Sequence, residues 1–192
     1  GVRPNKIQCA APASSCDELS IPIELLDESS SRSTFTLTSD AIVDGFMLED
    51  NGLDSSNSNY QDYQCVENVN NQQASLPLSW ENAPENTHSF AITMTHVDAQ
   101  NNTNSYLLLW DIDSTTSEIP YGEAGDHDNG YGYMGQNKDG IQISYSSPCS
   151  GSAGTHDYTL TLYALDANPL ASYTDSSVDV DYELLMNGDD SN

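Results

Sequence analysis

The segment Ser105–Trp110 limits the possible folds of this chain more than any other, because it is almost entirely apolar. A strand of this kind is normally covered on both faces. The segment Tyr158–Tyr163 instead alternates apolar residues with threonines, as a strand with one buried and one wetted face does. Repeated short strands with polar turns favour an all-β fold over an α/β sheet. We therefore predict a mainly antiparallel, Greek-key-like β-sandwich with one or two short helices.

The sequence also divides the chain into regions. Residues 1–33 read as an N-terminal extension, residues 34–186 as one β domain, and residues 187–192 as a frayed acidic tail. One domain is expected because 192 residues suit a single core. The predicted strands are Phe35–Ser39, Leu76–Trp80, Ser89–Thr95, Ser105–Ile112, Gly140–Tyr145 and Tyr158–Leu165, and a short helix is predicted around Tyr182–Met186. Residues 50–75 are rich in Asn, Ser and Gln, which predicts a long surface loop.

The charge of the chain excludes one class of partner. Four Lys plus Arg stand against thirty Asp plus Glu, a formal net charge of -26. Nucleic acid is excluded because neutralising its phosphates requires Lys and Arg, and an anionic membrane surface is disfavoured. Such a surface suits salty water, where screening over about 8 Å or less weakens self-repulsion. No apolar run approaches the length of a membrane span.

The cysteines and the first residues point to export. Four cysteines are an even number, which suits an oxidising compartment. They lack the C-x-x-C spacing of zinc and thioredoxin-like sites, and Cys9 and Cys16 could close a small N-terminal loop. The start at Gly1 reads as a mature end left by removal of a signal peptide. We expect a secreted or extracellular protein, periplasmic if the source is Gram-negative.

Two strand ends carry the candidate binding residues. One strand leads into His96 and Asp98, and His156 precedes another strand. Residues two apart point to the same side of an extended strand, which predicts a shared face for His96 and Asp98. A histidine ordinarily titrates near about pH 6.5, so a cationic ring would suit phosphate or carboxylate. Two alternatives stay open, a hydrogen-bonded structural histidine and an Asp98 that only caps the following turn.

A series of short motifs follows in a specific order. They are Pro77–Trp80, Ala83–Pro84, Thr87–Ala91, Asp98–Ala99, Gly135–Asn137, Gly140, Pro148–Cys149, His156, Tyr158 and Leu162–Asp166. In order and spacing they resemble the phosphatidylethanolamine-binding protein family, over roughly Phe35 to Asp166. The pattern looks similar to a bacterial branch of that family.

The resemblance implies a polar pocket on a β-sandwich. The implied pocket residues are His96, Asp98, Tyr106 and His156, with Trp80 and Tyr145 as walls. Ordinary core packing is the alternative for the two wall residues. Tyr106 falls where the family has a histidine, and a tyrosine can donate to an anion without titrating near neutrality. The family layout also brings Cys65 and Cys149 to the pocket rim, which implies the disulfides Cys9–Cys16 and Cys65–Cys149 among three possible connectivities.

We expect a binding protein without catalytic activity. The chain lacks a G-x-S-x-G nucleophile elbow, and no cofactor is expected. The expected partner is a small anionic or zwitterionic ligand such as a polar head group, phosphate or carboxylate. One alternative is a structural subunit of an extracellular filament or layer, a homo-oligomer assembled through residues 1–33 and an open sheet edge. Another is a hydrolase inhibitor.

Two further motifs concern metal and modification. Weak Ca²⁺ candidates are Asp111, Asp113, Asp126 and Asp128, because clustered carboxylates suit this ion. The alternative is an Asp- and Asn-rich turn, since neither group completes an EF-hand loop. Asn101-Asn102-Thr103 is a glycosylation sequon, meaningful only in a source that glycosylates such sites.

Overall fold

The computed structural model describes residues 2–3, 33–64, 74–124, 130–140, 143–148 and 155–188. Its elements are β1 (Val2–Arg3), β2 (Thr36–Thr38), β3 (Ile42–Val43), β4 (Phe46–Met47), β5 (Leu78–Glu81), β6 (Ser89–Val97), β7 (Thr103–Asp113), β8 (Glu118–Ile119), β9 (Tyr133–Met134), β10 (Tyr158–Leu165) and α1 (Tyr182–Asn187). The four cysteines, Asp126 and Asp128 lie outside the described residues. Both disulfides and those two calcium candidates therefore stay predictions.

Within these ranges the strands form a mainly antiparallel arrangement of sheets. A five-stranded sheet has the order β1-β10-β6-β7-β9, a three-stranded sheet the order β2-β5-β8, and β3 and β4 form a hairpin. The all-β prediction is confirmed. The pairing of β1 with β10 is parallel and joins Val2–Arg3 to Tyr158–Thr159. The beginning of the predicted extension thus lies along one edge of the large sheet.

The large sheet is covered on both faces. On one face, Ile92 and Leu109 pack in a core shared with Trp80 of the smaller sheet. On the other face, Leu108 and Trp110 pack with Leu170, Val180 and Leu185 of the C-terminal segment. The apolar run in β7 is therefore buried on both sides, as its composition predicts.

The expectation of a wetted threonine face on β10 was wrong in part. Thr161 is buried, although Thr159 is only half-buried. The reason is that the C-terminal segment reaches this face of the sheet, where it packs against Tyr163 of β10. A period-two pattern shows which residues share a face, but not what later covers that face.

The strand predicted at Gly140–Tyr145 was also wrong for its described residues. Gly140 has a φ of +71° in a turn, and residues 143–148 hold only an isolated bridge residue, Ser144. The Ser146 N–H donates to the Tyr106 carbonyl at 2.8 Å. This segment therefore borders β7 through single hydrogen bonds instead of a continuous ladder.

The predicted surface loop at residues 50–75 is partly folded onto the core. Asp50 and Asp62 form an isolated antiparallel bridge, and Tyr63 is only 3% exposed. Tyr63 packs edge-on against Tyr121, with ring centroids 5.9 Å apart. The Tyr121 hydroxyl donates to the Asp62 carboxylate at 2.7 Å. An aromatic side chain within a polar stretch therefore anchors the loop.

The short C-terminal helix is confirmed. The Asp181 side chain caps α1 by accepting from the Leu184 N–H at 2.8 Å, as an N-cap aspartate does. Leu185 is its buried residue. Gly188, with a φ of +75°, ends the helix and donates its N–H to the Leu184 carbonyl. The helix holds the C-terminal segment against the second face of the large sheet.

Candidate functional site

Four aromatic side chains converge where β6, β7 and β10 lie side by side. His96 lies near the end of β6, Tyr106 in β7, and His156 and Tyr158 at the start of β10. The His96 ring centroid lies 6.5 Å from that of Tyr106, 6.0 Å from His156 and 5.1 Å from Tyr158. We call these four residues the His96 cluster. Three of them, His96, Tyr106 and His156, are sequence-predicted pocket residues.

Sheet register explains why residues so distant in sequence meet. Thr95 of β6 is paired with Ser105 of β7 on one side and with Thr159 of β10 on the other. Continuing the β6–β10 register places Tyr158 opposite His96. On β7 the partner of His96 is Asn104, and Tyr106 is the residue skipped at the register shift, with its ring beside His96. A register shift between Met94 and Thr95 marks a bulge just before this point, and a bulge can re-aim a side chain.

The orientation of the His96 ring is fixed by a backbone group. Its Nδ1 lies 2.8 Å from the carbonyl oxygen of Asp157. A carbonyl only accepts, so Nδ1 carries the hydrogen and donates. In the neutral ring Nε2 is then an acceptor, whereas in the cation it becomes a second donor. His96 can therefore change from accepting to donating at Nε2 while its ring stays anchored.

The two tyrosines form the buried floor of the His96 cluster. Tyr106 is 8% and Tyr158 5% exposed, and their rings meet edge to face at 4.9 Å. Burial raises the pKa of Tyr158 well above its usual range, and the nearby Tyr106 hydroxyl raises it further through its charge and a hydrogen bond. Each hydroxyl can donate or accept a hydrogen bond. A bond between them uses only one O–H, so the other can donate to a bound anion.

Asp98 is not brought into the His96 cluster. Its Oδ1 accepts from the N–H groups of Gln100 and Asn102 at 2.9 and 2.8 Å. Its Oδ2 accepts from the Asn102 and Asn104 side-chain amides at 3.0 and 3.4 Å. The Asn102 side chain, then its backbone N–H, lower the pKa of Asp98. Because β6 ends at Val97, the extended geometry needed for a shared face stops one residue too early, and the turn-cap alternative describes this carboxylate.

The two predicted wall residues are core aromatics. Trp80 is 5% exposed and packs edge-on against Phe90 at 5.4 Å. Tyr145 is 1% exposed, and its buried hydroxyl has no hydrogen-bond partner among the described residues. Burial raises the pKa of Tyr145 far above its usual range, and the neighbouring Tyr158 and Tyr121 add to the effect. Tyr145 therefore lies close to the His96 cluster, whereas Trp80 supports the core between the sheets.

The two described calcium candidates do not form a site together with other ligands. Asp113 accepts from the Thr115 N–H and hydroxyl at 2.7 and 2.6 Å, and these bonds lower its pKa. Asp111 has a φ of +58° within β7. No group of three or more His, Cys, Asp or Glu side chains suited to a metal occurs in the described part of the chain. Asp113 instead caps a turn.

Sequence reasoning about the pocket omitted two contributors, Tyr158 and the backbone carbonyl of Asp157. The motif His156-x-Tyr158 contained the signal, because residues two apart in a strand share a face. Tyr158 was assigned to a strand and to the family motifs but not to the pocket, since a tyrosine in an apolar pattern looks like ordinary core. The backbone role of Asp157 leaves no trace in a sequence.

Comparisons with known proteins show which family and which folds this chain resembles. A family model described as phosphatidylethanolamine-binding protein matches residues 38–187. The solved structure of Escherichia coli YbcL, described as a new member of the mammalian family of this name, has a TM-score of 0.56 at 21% identity, covering 83% of this chain and 93% of that one. A structure described as a proposed homolog from Chlamydia trachomatis has a TM-score of 0.50 at 24% identity, covering 62% and 72%.

The extent of the family match decides the assignment. It includes β5 to β10 and α1, and therefore every residue of the His96 cluster. At these identities the two solved structures show a shared fold, and they add nothing about ligands. In the described part of the chain, no helix has the length and hydropathy to cross a membrane. The chain belongs to the phosphatidylethanolamine-binding protein family.

Proposed function

We propose that this protein is an exported, non-catalytic binding protein whose His96 cluster accepts a small anionic or zwitterionic group, such as a phosphate-bearing head group or a carboxylate. The observation that carries the proposal is the bond between His96 Nδ1 and the Asp157 carbonyl at 2.8 Å. It uses Nδ1 and leaves Nε2 as the ring nitrogen that we infer to meet the ligand. The family membership supports ligand binding in the broad sense.

The chemistry of the His96 cluster favours an anion over a cation. Tyr106 contributes a hydroxyl that can donate, and both histidines become donors when protonated. The tyrosines are largely buried, so a hydrogen bond to a ligand there competes less with water. The net charge of -26 opposes anions at long range. Recognition therefore depends on short-range hydrogen bonds, and steering by the overall field plays no favourable part.

Turnover is not part of the proposal. Tyr106 occupies the position at which the family places a histidine, and a tyrosine does not exchange protons near neutral pH. The raised pKa of Tyr158 makes that hydroxyl an even weaker acid. Binding and release need no proton transfer, so the cluster suits reversible binding.

The test is a calorimetric and NMR titration of the full chain with phosphate, acetate and phosphoethanolamine. Saturable binding is expected, with chemical-shift changes at His96 and His156. His88, an exposed histidine preceding β6, is the internal control and should not respond. Absence of saturable binding at millimolar ligand would overturn the proposal. Equal responses at His88 and His96 would also overturn it, because they would indicate a general ionic effect.

A further inference from the structure

The loop between β6 and β7 presents an asparagine side chain that the fold does not use. Asn101 is exposed, with a φ of +67°, a conformation that asparagine tolerates better than most residues. Its backbone N–H donates to the Asp98 carbonyl at 3.0 Å, and the Asp98 N–H donates to the Asn102 carbonyl at 3.0 Å. The turn is thereby held at both ends, with Asn101 at its outer bend.

The side-chain amides of the two following asparagines are engaged within the loop. The Asn102 amide donates to the Asp98 carboxylate at 3.0 Å, and the Asn104 amide donates to the same carboxylate at 3.4 Å. The Asn101 side chain makes no hydrogen bond to any described residue, and Thr103 is likewise exposed at the start of β7. Asn101 and Thr103 are the first and third residues of the sequon Asn101-Asn102-Thr103. The two positions that a glycosyltransferase reads are therefore both accessible.

We propose that Asn101 is a site of N-linked glycosylation. The donor would be a lipid-linked glycosyl diphosphate. In the transfer, Asn101 Nδ2 forms a bond to the anomeric carbon while the bond from that carbon to the phosphate oxygen breaks. The lipid diphosphate leaves with the electron pair, and Nδ2 loses one proton to a base of the transferase. The product is a glycosyl amide on a surface turn.

The surface beside Asn101 suits an attached sugar. A polar cleft of about 490 Å³ begins at this loop and extends to residues 136–140 and the start of α1. Among its lining residues are Gln136, Lys138 and Glu183, which offer both donors and acceptors to hydroxyl groups. Tyr182 adds a half-buried aromatic ring. A sugar on Asn101 could therefore lie along the cleft and exchange its hydration for protein hydrogen bonds.

The proposal rests on the exported state included in the proposed function, because lipid-linked donors act on secreted chains. The test expresses the full chain behind a secretion signal in a host with N-linked glycosylation, and measures the intact mass of the secreted protein. A glycan mass at one site is expected, retained in Thr103→Ser and lost in Asn101→Gln and Thr103→Ala. A peptide map should place the modification at Asn101.

Two results would overturn the glycosylation proposal. One is an unmodified secreted protein from cells that do glycosylate a reference sequon protein. The other is a modification that persists in Asn101→Gln. A phosphate titration of Asn101→Gln, followed at His96, distinguishes failure of the glycosylation proposal from failure of the proposed function. The His96 response should equal that of the parent protein, because Asn101 does not belong to the His96 cluster.

Discussion

Replacing His96 with glutamine should weaken anion binding most at a pH where a histidine is charged. Glutamine keeps a neutral N–H donor and a similar volume, so His96→Gln removes the positive charge more than the shape. A hydrogen bond involving a charged group contributes about 1.5–3 kcal/mol, against about 0.5–1.5 kcal/mol for a neutral one. Since His96 Nδ1 is already bonded to the Asp157 carbonyl, a single ligand bond, from Nε2, is affected.

The expected loss is therefore about 1–1.5 kcal/mol, or roughly a 5- to 15-fold weaker Kd. Sulfate is the appropriate probe, because its charge is the same at about pH 5.5 and at about pH 8, on either side of the ordinary histidine pKa. Calorimetry at both pH values measures the effect, with the larger loss expected at the lower pH. His88→Gln, on an exposed histidine outside the cluster, is the matched control and should leave the Kd unchanged.

Two outcomes would refute this reasoning. Equal losses at the two pH values would show that His96→Gln acts through packing instead of charge. An unchanged Kd at the lower pH would show that His96 Nε2 does not contact the anion. In both cases urea unfolding of His96→Gln separates a binding effect from a general loss of structure, because the lost Nδ1 bond should cost only about 0.5–1.5 kcal/mol in unfolding free energy.

Three further predictions concern the framework. The lowered pKa of Asp98, caused mainly by Asn102, stabilises the fold above the ordinary aspartate pKa, and this contribution disappears as the pH falls through the lowered value. Asp98→Ala should therefore lower the unfolding free energy at pH 7 but not near about pH 2; equal losses in urea titrations at both would contradict this. A Cβ on Gly135 would meet the Val180 carbonyl oxygen. Gly135→Ala should thus cost about 1–3 kcal/mol and speed hydrogen exchange in α1. Gly122→Ala, whose strain comes from its φ of +80° and not from a contact with the segment before α1, should leave α1 protected. Because the chain has a net charge of -26, its unfolding free energy should rise between roughly 0.1 and 1 M KCl as the screening length falls from about 10 to 3 Å; a flat or falling dependence would show that self-repulsion is unimportant.

Much of the fold could be predicted because the residue composition of a segment indicates on how many faces it is buried. The apolar run in β7 predicted coverage on two faces, and the structure supplies that coverage from the smaller sheet and the C-terminal segment. The helix around Tyr182–Met186 was likewise predicted from local sequence. The prediction of a strand at Gly140–Tyr145 was wrong because strand pairing depends on neighbours in space, which the sequence of the segment does not show. There the Ser146 N–H reaches the Tyr106 carbonyl without forming a ladder.

Three residues of the His96 cluster could be named from the sequence, but their geometry could not, and their binding role stays a prediction. The resemblance implied that His96, Tyr106 and His156 lie near one another, and their ring contacts confirm that proximity. The placement of Asp98 failed because β6 ends at Val97, and the end of a strand is poorly encoded in its own residues. Backbone contributions, such as the Asp157 carbonyl, cannot be predicted from side-chain identities.

The central claim is that His96 offers Nε2 to an anion while Nδ1 stays bonded to the backbone. The most direct measurement is the ¹⁵N chemical shift of both His96 ring nitrogens, with and without saturating phosphate. The account predicts a protonated Nδ1 in both states and a large change at Nε2, with no change at His88. Unchanged Nε2 at saturating phosphate, or a free protein in which Nδ1 carries no hydrogen, would contradict it.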